Sequence, residues 1–203
     1  MRPFIVFFGP EGAGKTTQIN LLVRNLREKY GSENVELISI RDNHLLIPWL
    51  LRFLKRLGIV IRDKQIWAII QLLNLLPVYF VRYYLKRKIS EKLLIADRFI
   101  PDSLSTLAHF MSDPMILRKK IGRLYLKLIP QDAYLIFLYA PYEVLAARYV
   151  NRKTPIEPQD LIRYEILIGR KLSTSALVID TSKKSIVDTS KIIKEYMSRL
   201  GIL

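Results

Sequence analysis

Gly9-Pro10-Glu11-Gly12-Ala13-Gly14-Lys15-Thr16 matches the pattern G-x-x-x-x-G-K-[ST] at every fixed position, and Thr17 follows it. The stretch lies between an apolar run, Phe4–Phe8, and a helical pattern that starts at Lys15. Glycines in such a loop let backbone N–H groups converge on phosphate oxygens, and the following helix adds the positive end of its dipole. Lys15 is predicted to reach the β- and γ-phosphates, and the Thr16 hydroxyl to bind Mg²⁺. We therefore expect residues 9–17 to bind ATP with Mg²⁺ as its metal.

Five short runs are nearly continuous in apolar residues, which is typical of strands in a parallel sheet that is covered on both faces. They are Phe4–Phe8, Val35–Ile40, Leu93–Ala96, Tyr134–Tyr139 and Leu177–Ile179. Helical patterns lie between them: Lys15–Tyr30, a helix from Lys64 capped by Asp63 and kinked at Pro77, Met115–Leu128, Pro141–Arg152, Leu161–Leu172 and Ser185–Leu200. The alternation predicts one α/β domain over residues 1–203, a five-stranded parallel sheet between layers of helices.

Ligands of such sheets bind beyond the carboxyl ends of the strands. The residues that follow the predicted strands are therefore the candidates for a functional site. Besides the loop, they are Arg41-Asp42, Asp97-Arg98, the stretch after Arg148, and Asp180-Thr181.

Composition excludes several classes of protein. The chain has 203 residues and no cysteine, so a disulfide scaffold or a cysteine-ligated metal is excluded, and two histidines leave little scope for a histidine-based metal site. No signal peptide and no run long enough for a transmembrane helix is visible, so we expect a cytoplasmic protein. The abundance of isoleucine, lysine and arginine is typical of a thermophilic source.

The formal charge is +15, and it is concentrated in residues 41–90, which hold ten basic and two acidic residues. A basic chain favours polyanions such as nucleotides, nucleic acids or anionic membrane surfaces. The basic residues of this region form either solvated helix faces or an anion-facing rim around a substrate cleft.

The sequence GPEGAGKTTQ, the Asp97-Arg98-Phe99 motif and the final Ile179-Asp180-Thr181 together resemble the thymidylate kinase family of P-loop nucleoside monophosphate kinases. The resemblance covers nearly the whole chain. It implies a three-layer P-loop NTPase fold with a short lid at about residues 148–158 and an acceptor-side helical region at about residues 44–90. It also implies the reaction dTMP + ATP to dTDP + ADP, dependence on Mg²⁺, and a homodimer.

The resemblance also implies roles for single residues. Glu11 would lie near the acceptor sugar, Asp97 would act around Mg²⁺ and the reaction centre, and Arg98 would bind the acceptor phosphate. Phe99, Thr106 and Arg41 are further acceptor-binding candidates. The loop has no basic residue before Lys15, so the lid residues Arg148 and Arg152 are expected to cover the transferred phosphoryl group. Because they are four residues apart, they share one helix face.

The chain departs from the family pattern on the acceptor side. Where the family has a third arginine, about twenty residues before the D-R motif, the segment Gln71–Pro77 has none, and Thr106 stands where many relatives have an aromatic residue. The continuation after Arg41 also differs. The phosphate loop at residues 9–17, by contrast, matches the family pattern completely. The sequence therefore supports phosphoryl transfer from ATP more strongly than it supports dTMP as the acceptor.

Two alternatives stay open at this point. A related kinase could act on another nucleotide, a nucleoside or a non-nucleotide acceptor. A hydroxyl acceptor would need a carboxylate base, for which Asp97, Glu11 and Asp42 are available. Alternatively, the charge of +15 would suit a non-catalytic P-loop protein that binds nucleotides or nucleic acid. The kinase interpretation requires no specific nucleic-acid partner.

Overall fold

The computed structural model describes residues 3–38, 52, 56, 64–152 and 157–203. Within these residues five parallel strands form one sheet in the order β2-β3-β1-β4-β5. They are β1 (Phe4–Phe8), β2 (Val35–Ile38), β3 (Leu93–Asp97), β4 (Ala133–Tyr139) and β5 (Ala176–Asp180). The predicted five-stranded parallel sheet is confirmed, and within the described residues no strand end differs from the prediction by more than one residue.

The central strand shows why these runs are apolar throughout. Phe4, Val6 and Phe8 pack into the core on one face of the sheet, and Ile5 and Phe7 pack into a second core on the other face. All five side chains are buried. Covering both faces removes the alternation of apolar and polar residues that an exposed sheet shows.

Eight α-helices flank the sheet in the described parts of the chain. They are α1 (Lys15–Tyr30), α2 (Lys64–Tyr79), α3 (Lys86–Ile89), α4 (Ile100–Met111), α5 (Lys120–Lys127), α6 (Tyr142–Arg152), α7 (Gln159–Lys171) and α8 (Ile186–Arg199). A π-helical turn over Phe80–Leu85 joins α2 to α3. None of the described helices has the length and apolar character that a membrane crossing needs.

The predicted continuous helix over Met115–Leu128 is wrong. A 3₁₀ turn over Ile116–Arg118 comes first, and α5 begins only at Lys120. Gly122 explains the close packing of the two pieces, because a Cβ atom there would collide with the carbonyl oxygen of Ile116. The helix α4 was not predicted at all, although Pro101 lies in its first turn, where proline fits a helix.

Proline 77 does not end its helix. The α2 helix continues through Pro77 to Tyr79, and the π-helical turn follows directly. A proline withholds one backbone hydrogen bond, and π-helical turns are one way in which a helix accommodates such a defect. The predicted cap at Asp63, the strand residues Ser39 and Ile40, and Arg41-Asp42 lie outside the described residues.

The helix α7 lies unusually close to the sheet. At Gly169, a Cβ atom would overlap the ring of Phe137 on β4. Only a glycine allows this approach of helix and strand. The close packing fixes where the other residues of α7 lie, including Glu165 one turn earlier.

Candidate active site

The loop between β1 and α1 has the backbone that the glycine pattern predicts. Gly9, Gly12 and Gly14 have φ values of 121°, 77° and 93°. At Gly9 a Cβ atom would collide with the carbonyl oxygen of Leu138, so this position needs glycine for space as well as for conformation. Gly14 precedes α1, and no side chain caps the helix there. The first N–H groups of α1 are thus placed to bind an anion.

Lys15 is buried, and its ammonium group is bound by the loop itself. Its Nζ donates hydrogen bonds to the carbonyl oxygens of Gly9 and Pro10, the latter at 2.7 Å. Burial lowers the pKa of Lys15, and the nearby guanidinium of Arg98 lowers it further. Asp102, Glu165 and Asp97 act in the opposite direction. The hydrogen bonds to Gly9 and Pro10 hold the ammonium group of Lys15 at the centre of the site.

Arg98 directly follows β3 and is the second buried cation of the site. Its backbone adopts a left-handed conformation with φ 67°, and its N–H group donates to the carbonyl oxygen of Phe7. Its Nη2 atom forms an ion pair with Glu11 Oε1 at 2.6 Å. The loop and the end of β3 are thereby joined through side chains as well as through the sheet.

Three further carboxylates surround Arg98. Its Nη1 atom lies 3.9 Å from Asp102 Oδ1, 3.9 Å from Glu157 Oε1 and 3.8 Å from Glu165 Oε1. All three acidic residues are less than 9% exposed. We call Arg98 with Glu11, Asp102, Glu157 and Glu165 the Arg98 cluster.

Two acidic residues of the Arg98 cluster, Asp102 and Glu157, are held by backbone N–H groups. Asp102 in α4 accepts hydrogen bonds from the N–H groups of Phe99 at 3.1 Å and Gly9 at 3.4 Å. Glu157, just before α7, accepts one from the N–H group of Glu11 at 3.0 Å. Burial raises the pKa of Asp102, although Arg98 and Lys15 oppose the effect.

Glu165 in α7 is a carboxyl group with a strongly raised pKa. Burial, followed by the neighbouring charge of Glu157, raises its pKa to about 8. Its Oε2 atom is buried and accepts no hydrogen bond from the described residues. Perturbed carboxyl groups of this kind concentrate at functional sites.

Asp97 ends β3 and lies beside the loop, because it pairs with Phe7 in the sheet. Its Oδ1 atom is buried and has no hydrogen-bond partner in the described part of the protein. A carboxylate oxygen in this state fits a Mg²⁺ ion, which prefers oxygen ligands. Among the described residues, no group of three or more acidic or histidine side chains is placed to hold a metal by itself. The residues present thus fit a metal that is bound together with nucleotide phosphates.

A pocket of about 210 Å³ lies beside the loop, between α1 and the start of α8. Arg148 of α6 forms part of its wall. The guanidinium donates from Nη1 to Gly12 O at 2.9 Å and to Thr181 Oγ1 at 3.1 Å, and from Nη2 to Thr181 O at 2.7 Å. A planar guanidinium held in this way offers a flat face on which an aromatic ring can stack. The pocket therefore suits the base of a nucleotide whose phosphates occupy the loop.

The structure brings several of the predicted site residues together, namely Gly9, Glu11, Lys15 and Arg98. Thr16 is exposed at the start of α1. The ring of Phe99 lies elsewhere, because it packs in the core against Phe4 and Tyr83. Thr106 is exposed, and its hydroxyl donates to the carbonyl oxygen of Asp102 within α4. Arg41 and the side chain of Arg152 lie outside the described residues.

Sequence reasoning missed Asp102, Glu157, Glu165 and the contact of Thr181 with Arg148. Asp102 carried a usable signal, because an acidic residue three positions after Phe99 is typical of a helix start. Glu165 carried none, since a single glutamate in an amphipathic helix is ordinarily exposed.

No family model and no curated protein matches this sequence. Two solved structures have a similar fold, and both are thymidylate kinases. The enzyme from Ehrlichia chaffeensis aligns with a TM-score of 0.60 and 21% identity, over 97% of this chain and 98% of its own. The enzyme from Candida albicans, described as having broad substrate specificity, aligns with a TM-score of 0.61 and 15% identity, over 99% and 93% of the two chains. These likenesses confirm the predicted P-loop kinase fold.

Proposed function

We propose that this chain is an ATP-dependent kinase, which transfers the γ-phosphoryl group of ATP to a small acceptor bound near Arg98. The observation that supports this most strongly is the phosphate loop, in which three left-handed glycines surround a buried Lys15. The names of the two structures with this fold favour a nucleoside monophosphate, with dTMP first, as the acceptor class to test.

The donor would occupy the loop and the adjoining pocket. Its phosphates would bind the N–H groups of residues 9–17, and Lys15 would exchange its hydrogen bonds to Gly9 and Pro10 for phosphate oxygens. Its base would stack on Arg148. Thr16 and Asp97 would hold Mg²⁺, which supplies neutralisation of charge on the phosphate oxygens.

A monophosphate acceptor would need little acid–base help. The second pKa of a phosphate monoester is about 6, so the attacking oxygen is ionised at neutral pH. The protein's contribution would then be positioning and charge neutralisation. The expectation that Arg152 covers the transferred group remains part of this proposal, and the same role for Arg148 is kept as the alternative to its stacking on the base.

The test is steady-state transfer from Mg–ATP to dTMP, dUMP, UMP, CMP, AMP, GMP and thymidine. Lys15→Ala is expected to abolish turnover, whereas Lys194→Ala, which changes an exposed lysine of α8, is expected to leave it unchanged. Wild-type protein that fails to bind Mg–ATP would contradict the proposal. Transfer that survives in Lys15→Ala would contradict the role of the loop.

We further propose a homodimer. The helical run 64–89 leaves large apolar side chains exposed, including Ile66, Leu73, Phe80 and Tyr84. Phe80 and Tyr84 stack on each other with ring centroids 5.2 Å apart, so these two exposed rings form one apolar patch. Exposed apolar surface of this kind is typical of an interface. A cytoplasmic location remains an expectation.

A further inference from the structure

We infer that Thr181 is a positioning residue for the donor nucleotide, because it holds the guanidinium of Arg148 in the wall of the pocket where the base of ATP would stack. The inference rests on the proposed binding of ATP by the phosphate loop and this pocket. It adds a residue to the donor site. Of the two roles kept open for Arg148, it selects support of the base.

Thr181 is itself fixed by the end of the sheet. It directly follows β5 and is only 5% exposed. Its N–H group donates to the carbonyl oxygen of Tyr139 on β4 at 2.8 Å, and its Oγ1 atom donates to the same carbonyl at 3.1 Å. Two bonds to one carbonyl fix both the backbone and the side-chain rotamer of the threonine. Because the hydroxyl hydrogen is used toward Tyr139, the lone pairs of Oγ1 remain to accept from another donor.

That donor is Arg148 of α6. Its Nη1 atom donates to Thr181 Oγ1 at 3.1 Å, and its Nη2 atom donates to Thr181 O at 2.7 Å. Two nitrogens of one guanidinium thus bind two oxygens of one residue, which fixes the direction of the group as well as its distance. Nη1 also donates to Gly12 O at 2.9 Å. Because a guanidinium is planar, these three bonds determine how its plane lies.

The orientation of this plane matters for the donor. The pocket beside the loop has Gly12, Arg148 and Thr181 in its lining, together with Gly14 and Thr17 at the start of α1. A nucleotide with its phosphates in the loop would therefore place its base beside Arg148. A flexible arginine loses rotamer freedom when a base stacks on it, and that loss weakens binding. Arg148 is already held by Gly12 and Thr181 before a nucleotide binds, so this cost is reduced.

The same bonds argue against a role for Arg148 on the transferred phosphoryl group. An arginine with that role donates to the phosphoryl oxygens. Nη1 has two hydrogens, and it donates them to Gly12 O and Thr181 Oγ1. Turning Nη1 to a phosphoryl oxygen would break both bonds, one of them to a buried hydroxyl group, and such losses are costly.

The test is a double-mutant cycle on the affinity for a non-hydrolysable ATP analogue with Mg²⁺, titrated calorimetrically. Thr181→Val removes the hydroxyl group and keeps the shape of the side chain. We expect it to weaken binding about fivefold, since a hydrogen bond to a charged group is lost. Thr181→Ser keeps the hydroxyl group and is expected to bind as wild type does. In the background of Arg148→Ala, we expect Thr181→Val to have no further effect, because Thr181 acts through Arg148.

Two further measurements separate this role from a general loss of structure. Tyr30→Phe is the control, because it removes a hydroxyl group that donates to Ile202 O at 2.7 Å. Tyr30 ends α1, at the opposite end from the loop, so its loss should leave the affinity unchanged. Inorganic tripolyphosphate with Mg²⁺ has the phosphates but no base, and it is measured as a competitor of the analogue. We expect its affinity to be the same in wild type and in Thr181→Val.

Unchanged affinity in Thr181→Val overturns the inference, and so do effects of Thr181→Val and Arg148→Ala that add up. A Thr181→Ser variant as weak as Thr181→Val overturns it as well. Equal weakening of tripolyphosphate and the analogue overturns the assignment to the base. If Thr181→Val does not fold, Thr181→Ala takes its place in the cycle. Wild-type protein that does not bind the analogue contradicts the proposed kinase function instead.

Discussion

The carboxylate of Glu157 accepts a hydrogen bond at 3.0 Å from the backbone N–H group of Glu11. One residue lies just before α7, at the end of the segment expected to form the lid, and the other lies in the phosphate loop. This bond connects the part of the protein that would cover the substrates to the part that would hold the donor phosphates. A phosphate oxygen bound in the loop would compete with the carboxylate of Glu157 for this N–H group.

We expect Glu157→Ala to loosen the phosphate loop. The N–H group of Glu11 would lose its acceptor, so its hydrogen exchange should accelerate, by about tenfold for the loss of one hydrogen bond. Mass spectrometry of exchanged peptides covering residues 9–17 measures this. Glu157→Gln, which keeps an acceptor oxygen, is the matched variant, and equal rates in the two variants would contradict the role of this bond.

The pKa of Glu165 predicts how stability depends on pH. Burial raises this pKa from 4.5 to about 8, so between these values the folded protein binds a proton that the unfolded chain has released. Stability is therefore lost as pH rises through this window, by up to about 1.4 kcal/mol per pH unit. Glu165→Gln removes this loss, since glutamine stays neutral.

Urea unfolding at pH 5 and pH 8 checks the prediction. We expect Glu165→Gln to be more stable than wild type at pH 8, and the difference to shrink toward pH 5. The groups that face Glu165, namely Glu157, Asp102, Arg98 and Lys15, are retained in this variant. A difference in stability that does not change with pH would contradict the raised pKa.

Gly9→Ala is expected to be severely destabilising or to displace the loop. The residue has φ 121°, and a Cβ atom would collide with the carbonyl oxygen of Leu138. We expect a loss of at least about 2 kcal/mol, together with loss of ATP binding. Gly201→Ala is the control, because Gly201 also has positive φ but no atom lies near its added Cβ. It should cost about 1 kcal/mol. Equal losses would show that backbone strain alone, without the collision, sets the effect.

Arg148→Ala separates two roles for this residue. If Arg148 supports the base of the nucleotide, affinity for Mg–ATP should fall about tenfold, with a smaller change in kcat. If it covers the transferred phosphoryl group, kcat should fall and the affinity should remain. Direct ATP titration together with steady-state kinetics distinguishes the two. Arg163→Ala, which changes an exposed arginine of α7, serves as the control.

The proposed dimer predicts a change of mass in solution. Phe80→Ser combined with Tyr84→Ser removes two stacked rings from the exposed face of the helical run 64–89. We expect light scattering to show a dimer for wild type and a monomer for the double variant, because burial of such rings stabilises interfaces. A wild-type protein that is monomeric at high concentration would contradict the proposal.

The sequence predicted the sheet and the loop because both leave local signals. The apolar runs define the strands, and the glycine spacing defines the phosphate loop at Gly9–Thr16. The Arg98 cluster could not be predicted in this way. Asp102 lies far from Glu157 and Glu165 along the chain, and only the packing of α4 and α7 beside the loop brings their carboxyl groups to one guanidinium.

The close approach of Gly169 to the ring of Phe137 connects the pKa of Glu165 to the packing of α7 on β4. Glu165 lies one helical turn before Gly169, so it is withdrawn from water only while α7 lies tightly against β4. A larger residue at position 169 would lift the helix, admit solvent and let this carboxyl group ionise near its ordinary pKa. The pKa of Glu165 thus depends on the absence of a side chain at position 169, where a Cβ atom would overlap Phe137, and a substitution that touches no ligand can change that pKa.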